Sequence, residues 1–220
     1  MSSLQKNTAS AIRDQIDVLR VALFKANAHY QIGMGLRAHW LKFARAIHNT
    51  RTFWEFTLEA HLNVAFVHVC RVFVEQKKAT TLTTFLRTVH EHWDLFQEHE
   101  FRRRYANRPH LNEWLAQRWN PDHSQLAKDQ KFCSVKPCNE EDGPVDLLIK
   151  WRHNIAMHIA PDWIGNQRNK FIKRWPLPDL KPLIDVGIDI VNRYNSAFQF
   201  VPAPPPLELD DYLRVLECLS

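Results

Sequence analysis

The stretch TFWEFTLEAHLNVAFVHVCRVFVEQ, residues 52–76, is apolar around most of the circumference that a helix would give it. Its large apolar residues include Phe53, Trp54, Phe56, Leu58, Leu62, Phe66, Val69, Val72 and Phe73. A surface helix keeps a polar face, whereas a helix that is apolar all round is normally buried. The stretch therefore predicts the central and most buried helix of an α-helical bundle.

Helical spacing of apolar residues recurs on both sides of this stretch. Only five glycines occur in 220 residues and alternating β-branched runs are nearly absent, so the sequence predicts an all-α chain. Amphipathic helices are expected over residues 1–50, a helical bundle over 51–201, and a proline-rich spacer with a C-terminal helix over 202–220. The first helix carries Ile12, Ile16, Leu19 and Leu23. It is interpreted as an appendage or a dimerisation arm, and a second, basic helix follows Gly33 and Gly35.

Composition limits the compartment in which the chain is expected. Apolar residues make up 45% of the chain, enough for a core that needs neither metal nor disulfide bonds. The four cysteines are scattered, which favours a reducing compartment. No apolar run approaches the roughly 18 residues needed to cross a bilayer, and the amino terminus lacks the apolar core of a signal peptide. A cytoplasmic protein without a membrane segment is therefore expected.

The net charge and the absence of certain motifs limit the range of possible functions. A net charge of +5 suits an anionic partner such as nucleic acid. The chain has no glycine-rich phosphate loop, serine nucleophile motif or HExxH, which excludes P-loop nucleotide hydrolysis, acyl transfer and zinc proteolysis. Cys133 and Cys138 supply only two of the roughly four ligands of a zinc site. His61 and His68, a heptad apart, are interpreted as packed or capping residues. No metal or cofactor is expected.

The stretch KWRHNIAMH, residues 150–158, carries a residue pair suited to phosphate chemistry. Arg152 supplies a permanent cation and His158 a group that titrates near neutral pH. Asp142 and Gly143, followed by proline, predict the cap of a helix that Pro161 ends. About 120° of helix separates Arg152 from His158, too far for both to grip one atom from a straight helix, and the pair is interpreted as lining two sides of a groove. Four other Arg/His pairs have similar spacing, and a half-buried histidine beside an exposed arginine is the alternative.

Three consecutive arginines, Arg102, Arg103 and Arg104, form the second basic feature. On a helix they project in three directions, so they cannot all serve one structural ion pair. A surface that binds a nucleic-acid backbone is one interpretation. A solvated basic face that pairs with Glu98 and Glu100 is the other.

Five short segments follow one another along the chain in an order that is typical of a known protein family. They are residues 52–54 (TFW), 70–73 (CRVF), 101–104 (FRRR), 152–158 (RHNIAMH) and 190–195 (IVNRYN). Over residues 52–200 the chain resembles the HEPN superfamily, specifically its abortive-infection U-type branch. The resemblance implies an antiparallel helical bundle that dimerises symmetrically and, in active members, cleaves RNA without a metal.

Position by position, Arg152 and His158 match the catalytic arginine and histidine of that family. His153 takes the polar place after the arginine, and Asn154 lies one turn before His158 on the same face. His153 and Asn154 are therefore expected to orient the substrate or the catalytic histidine.

The chain departs from that branch at two places. Members of that branch often carry an acidic residue directly after the helix that here ends at Phe73, whereas this chain has Val74 there and only then Glu75. Met157 stands before the histidine, where alanine is usual. A non-catalytic module that holds a nucleotide, RNA or a partner protein through the same groove is therefore kept as the alternative function.

The expected reaction uses the 2′-hydroxyl of RNA as nucleophile. It is helped by a base, an acid and positive charge at the phosphate. The His158 of a second protomer would supply the second proton carrier, so a homodimer with a shared site is expected. The predicted protein is a metal-independent endoribonuclease of a bacterial defence or toxin–antitoxin system. A cognate antitoxin or nucleotidyltransferase is a candidate partner.

Overall fold

The computed structural model describes residues 3–118, 122–134, 143–153, 179–200, 214 and 217–218. The helices are α1 (Ser3–His39), α2 (Ala44–Asn49), α3 (Arg51–Phe73), α4 (Leu82–Glu91), a 3₁₀ helix (Trp93–Phe96), α5 (Glu98–Tyr105), α6 (Leu111–Arg118), α7 (His123–Cys133), α8 (Pro144–Trp151) and α9 (Leu180–Phe198). The described part contains no strand, and the prediction of an all-α fold is confirmed.

The two longest helices, α1 and α3, run antiparallel. A Cβ atom on Gly33 would lie 2.8 Å from Cδ2 of Leu62, and His29 contacts His61. Farther back along α1, Lys25 faces the same groove as Arg71 near the end of α3. Higher numbers on one helix thus pair with lower numbers on the other. Because glycine adds no side chain at position 33, the two backbones can approach closely there.

Helix α9 lies against both of these helices and runs antiparallel to α1. The Tyr30 hydroxyl contacts Asp179 at 3.4 Å, whereas a Cβ on Gly187 would lie 2.7 Å from Cδ2 of Leu23. Phe73 of α3 meets the same point. Gly187 thus marks the place where three helices converge.

Helix α1 belongs to the bundle and is not an appendage. Its four predicted apolar residues are at most 1% exposed and share one core with residues of α3, α4 and α9; they are Ile12, Ile16, Leu19 and Leu23. The core therefore does not divide near residue 50. The helix also continues through Gly33 and Gly35 to His39, where the sequence predicted a break. Close packing against α3, rather than a turn, explains Gly33.

The prediction that α3 is the most buried helix of the bundle fails at its amino-terminal end. Trp54 packs in a small second cluster with Leu36, Phe43 and Ile47. On the other side of the helix, Phe53 and Phe56 are 62% and 67% exposed. Within the described chain, neighbouring helices cover only one side of α3 there.

Among the residues that the structure describes, no helix combines the length and the apolarity that crossing a membrane requires. Of the predicted C-terminal helix, residues 214, 217 and 218 are described, and they are helical.

Candidate functional site

Helix α8 places Arg152 at its carboxyl end. The backbone N–H of Gly143 donates to Oδ2 of Asp146 at 3.1 Å, and Pro144 is the first helical residue. The carboxylate that closes the first turn thus comes from inside the helix. Val145 and Leu148 are buried, which fixes α8 against the core. The residue that follows the helix, Arg152, is half-buried.

The Arg152 guanidinium is held by the side chain of Gln76. With the Gln76 amide oriented so that its oxygen faces the guanidinium, Oε1 accepts from Nη2 at 2.7 Å and from Nη1 at 3.2 Å. Gln76 follows α3, so this contact joins the end of α8 to the end of α3. An amide keeps the guanidinium in place without neutralising its charge, which leaves Arg152 able to attract an anion.

Of the other predicted motif residues, the structure describes only His153. His153 is exposed beside Arg152. His158 and Asn154 lie outside the residues that the structure describes. The second half of the predicted pair therefore rests on the sequence.

A groove of about 380 Å³ lies between α1 and the end of α3, and Gln76 lines it. We call it the α1–α3 groove. Its α1 wall is mainly apolar and consists of Val18, Leu19, Val21 and Ala22, with Lys25 at its end. The opposite wall has His68 and Arg71 from α3, and Gln76, Ala79 and Thr80 from the loop that follows. Through Gln76, Arg152 lies at the edge of this groove.

The α1–α3 groove is electropositive. Lys25 and Arg71 line it, no carboxylate does, and neither cation has an ion-pair partner within the described residues. Burial lowers the pKa of His68, and the positive charges of Arg71 and Lys25 and the nearby His29 lower it further. The buried Nδ1 of His68 also lacks a hydrogen-bond partner in the described part of the chain. Within the described residues, the groove thus presents two cations without an ion-pair partner and a ring nitrogen without a hydrogen bond.

Sequence reasoning missed most of this groove. It treated His68 as a packed residue and gave no role to Lys25 or Gln76. One signal was present, because Val18, Val21 and Lys25 recur at helical spacing and Val18 and Val21 are 53% and 54% exposed. That signal becomes informative only when the antiparallel pairing of α1 with α3 is known.

His61 makes a specific contact that fits its interpretation as a packed residue. Its Nδ1 lies 2.9 Å from Nδ1 of His29, so one ring donates and the other accepts. Burial and the neighbouring His29 lower the pKa of His61. The contact is thus compatible with at most one protonated ring.

The arginine run divides between surface and structure. Arg102 bonds to Glu98 at 2.7 Å, and Arg103 makes two bonds to Glu100 at 2.7 and 2.6 Å. These are the pairs of the solvated-face interpretation. Both arginines remain about half exposed, so a phosphate could still reach them.

Arg104 is held inside the fold. Its guanidinium donates to the backbone oxygens of Phe198 at 3.0 Å and Leu95 at 2.5 Å, and it lies 4.4 Å from the centre of the Phe198 ring. Its side chain is 12% exposed. Any RNA contact by Arg104 would require these bonds to break.

The acidic residue that follows α3 points to another helix. Glu75 forms an exposed ion pair with Arg87 of α4 at 3.2 Å and does not line the α1–α3 groove. Among the described residues, the groove therefore has no carboxylate that could act as a base.

Burial disfavours thiolate chemistry at Cys70 and Cys133. Burial raises the pKa of the Cys70 thiol to about 12, although the nearby Arg152 opposes the shift. Burial and Asp129 likewise raise the pKa of Cys133 to about 12. No group of three or more potential metal ligands occurs among the described residues, and Cys138 lies outside them.

We predict that Arg71→Ala raises the pKa of His68, because it removes the positive charge that lowers this pKa most, while burial keeps the value below about 6.5. An NMR titration of the ring measures this. The folded-state pKa lies below the unfolded value, so neutral His68 adds stability above about pH 6.5 that is lost as the pH falls through the folded pKa. The variant should lessen that loss. Arg51→Ala, at the far end of α3, is the control, and equal shifts in both variants would contradict the prediction.

Comparisons of the chain with protein-family models, with curated proteins and with solved structures gave no match.

Proposed function

We propose that the protein is a metal-independent endoribonuclease of a bacterial defence or toxin–antitoxin system, and that Arg152 and His158 are its catalytic residues. One observation carries the proposal. The Arg152 guanidinium is held by an uncharged amide at the edge of an electropositive groove, where its charge is available to a phosphate. The spacing of Arg152 and His158 in the sequence and the resemblance to the HEPN superfamily give the reaction class.

In the proposed mechanism, Arg152 donates two hydrogen bonds to the oxygens of the scissile phosphate. Its charge stabilises the negative charge that develops as the 2′-hydroxyl attacks the phosphorus. His158 removes the hydroxyl proton or protonates the leaving 5′-oxygen. His153, exposed beside Arg152, orients the neighbouring ribose. Arg102 and Arg103 contact backbone phosphates away from the reaction.

We also propose that the active unit is a homodimer in which two His158 side chains share the acid and base roles. The exposed rings of Phe53 and Phe56, three residues apart on α3, support an apolar contact between copies. Light scattering that gave the mass of a single 26.0 kDa chain at working concentration would contradict this proposal. A cognate antitoxin or nucleotidyltransferase is a candidate partner of the dimer.

A non-catalytic module that binds RNA, nucleotide or a partner protein is the second candidate function. The observation that favours it is the position of Glu75. Its carboxylate pairs with Arg87 and lies outside the groove, which removes one candidate base from the site. The two functions differ in product, because a binding module leaves RNA intact.

The test of the proposed function is incubation of the purified protein with total RNA in excess chelator. We expect cleavage to persist and to leave 2′,3′-cyclic phosphate ends, since the nucleophile is the substrate's own hydroxyl. The control is an RNA with 2′-deoxyribose at the cleaved position, which should resist. Intact RNA would support the binding module, and activity restored only by a divalent ion would contradict the mechanism.

A further inference from the structure

We propose that the α1–α3 groove binds one nucleotide unit of a single-stranded RNA, with its phosphate between Lys25 and Arg71 and its base against Val18 and Val21. The inference deepens the proposed function and rests on it for the identity of the ligand. The groove would contact the RNA at a nucleotide away from the bond that is cut.

The charges of the groove indicate an anion. Lys25 and Arg71 line opposite walls, and no described carboxylate lines the groove or pairs with either cation. Two unneutralised cations that face one cavity repel each other, and a bound phosphate would turn that repulsion into attraction. Unlike Arg102 and Arg103, which already bond to glutamates, these two cations have no competing partner in the described chain.

The apolar wall indicates that the anion carries a flat apolar body. Val18 and Val21 are more than half exposed, although they lie beside a well-packed core. Val21 precedes Lys25 by four residues, about 6 Å along α1, so one ligand can reach both. A nucleobase has an apolar face and polar edges, and the Gln76 amide and the Thr80 hydroxyl can bond to such edges.

The size of the groove selects a single nucleotide. Its volume of about 380 Å³ lies near the lower end of the range for small-ligand pockets, roughly 300–1,000 Å³. A duplex has stacked, paired bases and would meet only the rim, whereas an unpaired base can enter. Gln76 lines the groove and also holds Arg152, so an adjacent phosphate of the same strand would lie near the catalytic arginine.

His68 provides a signal for the bound phosphate. Its Nδ1 has no described hydrogen-bond partner. The charged and titratable groups near its ring are Arg71, Lys25 and His29, and all of them disfavour its protonated form. A phosphate between the two cations would offset them and shift the His68 ring resonances towards those of the protonated form.

The test is an NMR titration of the His68 ring with adenosine 5′-monophosphate, adenosine or inorganic phosphate. We expect saturable shifts, with the monophosphate binding more tightly than either of its parts. Arg71→Ala and Lys25→Ala should each weaken binding about tenfold or more, and Val21→Ser about threefold. The matched controls are Arg51→Ala and Val67→Ser, which change exposed residues of α3 outside the groove.

RNA cleavage by the same variants separates this inference from the proposed function. If mononucleotide binding depends on Lys25 and Arg71 but the protein leaves RNA intact, the nucleotide site in the groove is supported and the proposed ribonuclease function is wrong. If the protein cleaves RNA but the His68 resonances do not shift on addition of the monophosphate, only the proposed nucleotide site in the groove is contradicted. Equal affinity for inorganic phosphate and the monophosphate would overturn the base contact.

Discussion

Replacement of Arg152 by alanine is expected to lower the rate of RNA cleavage by about 100- to 1,000-fold, the usual effect of removing one donor to a developing oxyanion. The fold should survive, because the only described side chain that bonds to Arg152 is that of the exposed Gln76. That amide can exchange the lost bond for water, so the free energy of unfolding should fall by about 1 kcal/mol at most. Cleavage rates and chemical denaturation of the purified variant measure the two effects.

Two further variants show how Arg152 acts. Arg152→Lys keeps the charge but loses the paired donors, so it should recover only a small part of the rate. Gln76→Ala leaves the guanidinium intact but frees it to move, and we expect an intermediate loss. Arg87→Ala, which removes an exposed arginine paired to Glu75, is the charge-matched control. A wild-type rate for Arg152→Ala would show that another residue contacts the scissile phosphate.

The fold class and the start of the motif helix could be predicted because local sequence signals determine them. Helical periodicity and the scarcity of glycine gave the all-α fold. Pro144 lies at the first position of α8, as predicted. The predicted cap residue Asp142 lies outside the described residues, and the carboxylate that bonds to the Gly143 N–H belongs to Asp146. Such signals act over a few residues, so the sequence displays them directly.

The α1–α3 groove could not be predicted because it depends on how two distant helices pair. Lys25 and Arg71 are 46 positions apart in the sequence, and only the antiparallel packing of α1 on α3 places them on one cavity. The glycines of α1 were interpreted as a break for a related reason. Glycine marks a turn or a close approach of two backbones, and only the partner helix shows that Gly33 is the second case.

The arginine run shows the same limit for charged residues. The sequence identified three adjacent cations but could not distinguish their surroundings. Arg104 is mostly shielded from solvent because its guanidinium reaches the backbone oxygens of Phe198 and Leu95, and Phe198 lies 94 residues away at the end of α9. Arg102 and Arg103 find glutamates on their own helix, which spacing could suggest.

Replacement of Asp129 by alanine is expected to lower the free energy of unfolding by about 3 kcal/mol, the low end of the cost of breaking a buried ion pair. Asp129 of α7 is 5% exposed, and its Oδ2 accepts from Arg193 Nη1 at 2.5 Å and from the Tyr194 hydroxyl at 2.8 Å. Both partners belong to α9, so this carboxylate ties α7 to the bundle. Its removal leaves a cation and a fully buried hydroxyl without their acceptor. The low end applies because a quarter of the Arg193 side chain is exposed.

Urea denaturation of a small set of variants tests this role. Asp129→Asn keeps an acceptor for Tyr194 but loses the charge, so it should fall between the wild type and Asp129→Ala. Tyr194→Phe should cost about 1 kcal/mol alone and much less in the Asp129→Ala background, because the two residues share one hydrogen bond. Asp122→Ala, which removes only the cap of α7, is the control and should cost about 1 kcal/mol. Equal losses for Asp122→Ala and Asp129→Ala would show that the carboxylate does not hold α7 to α9.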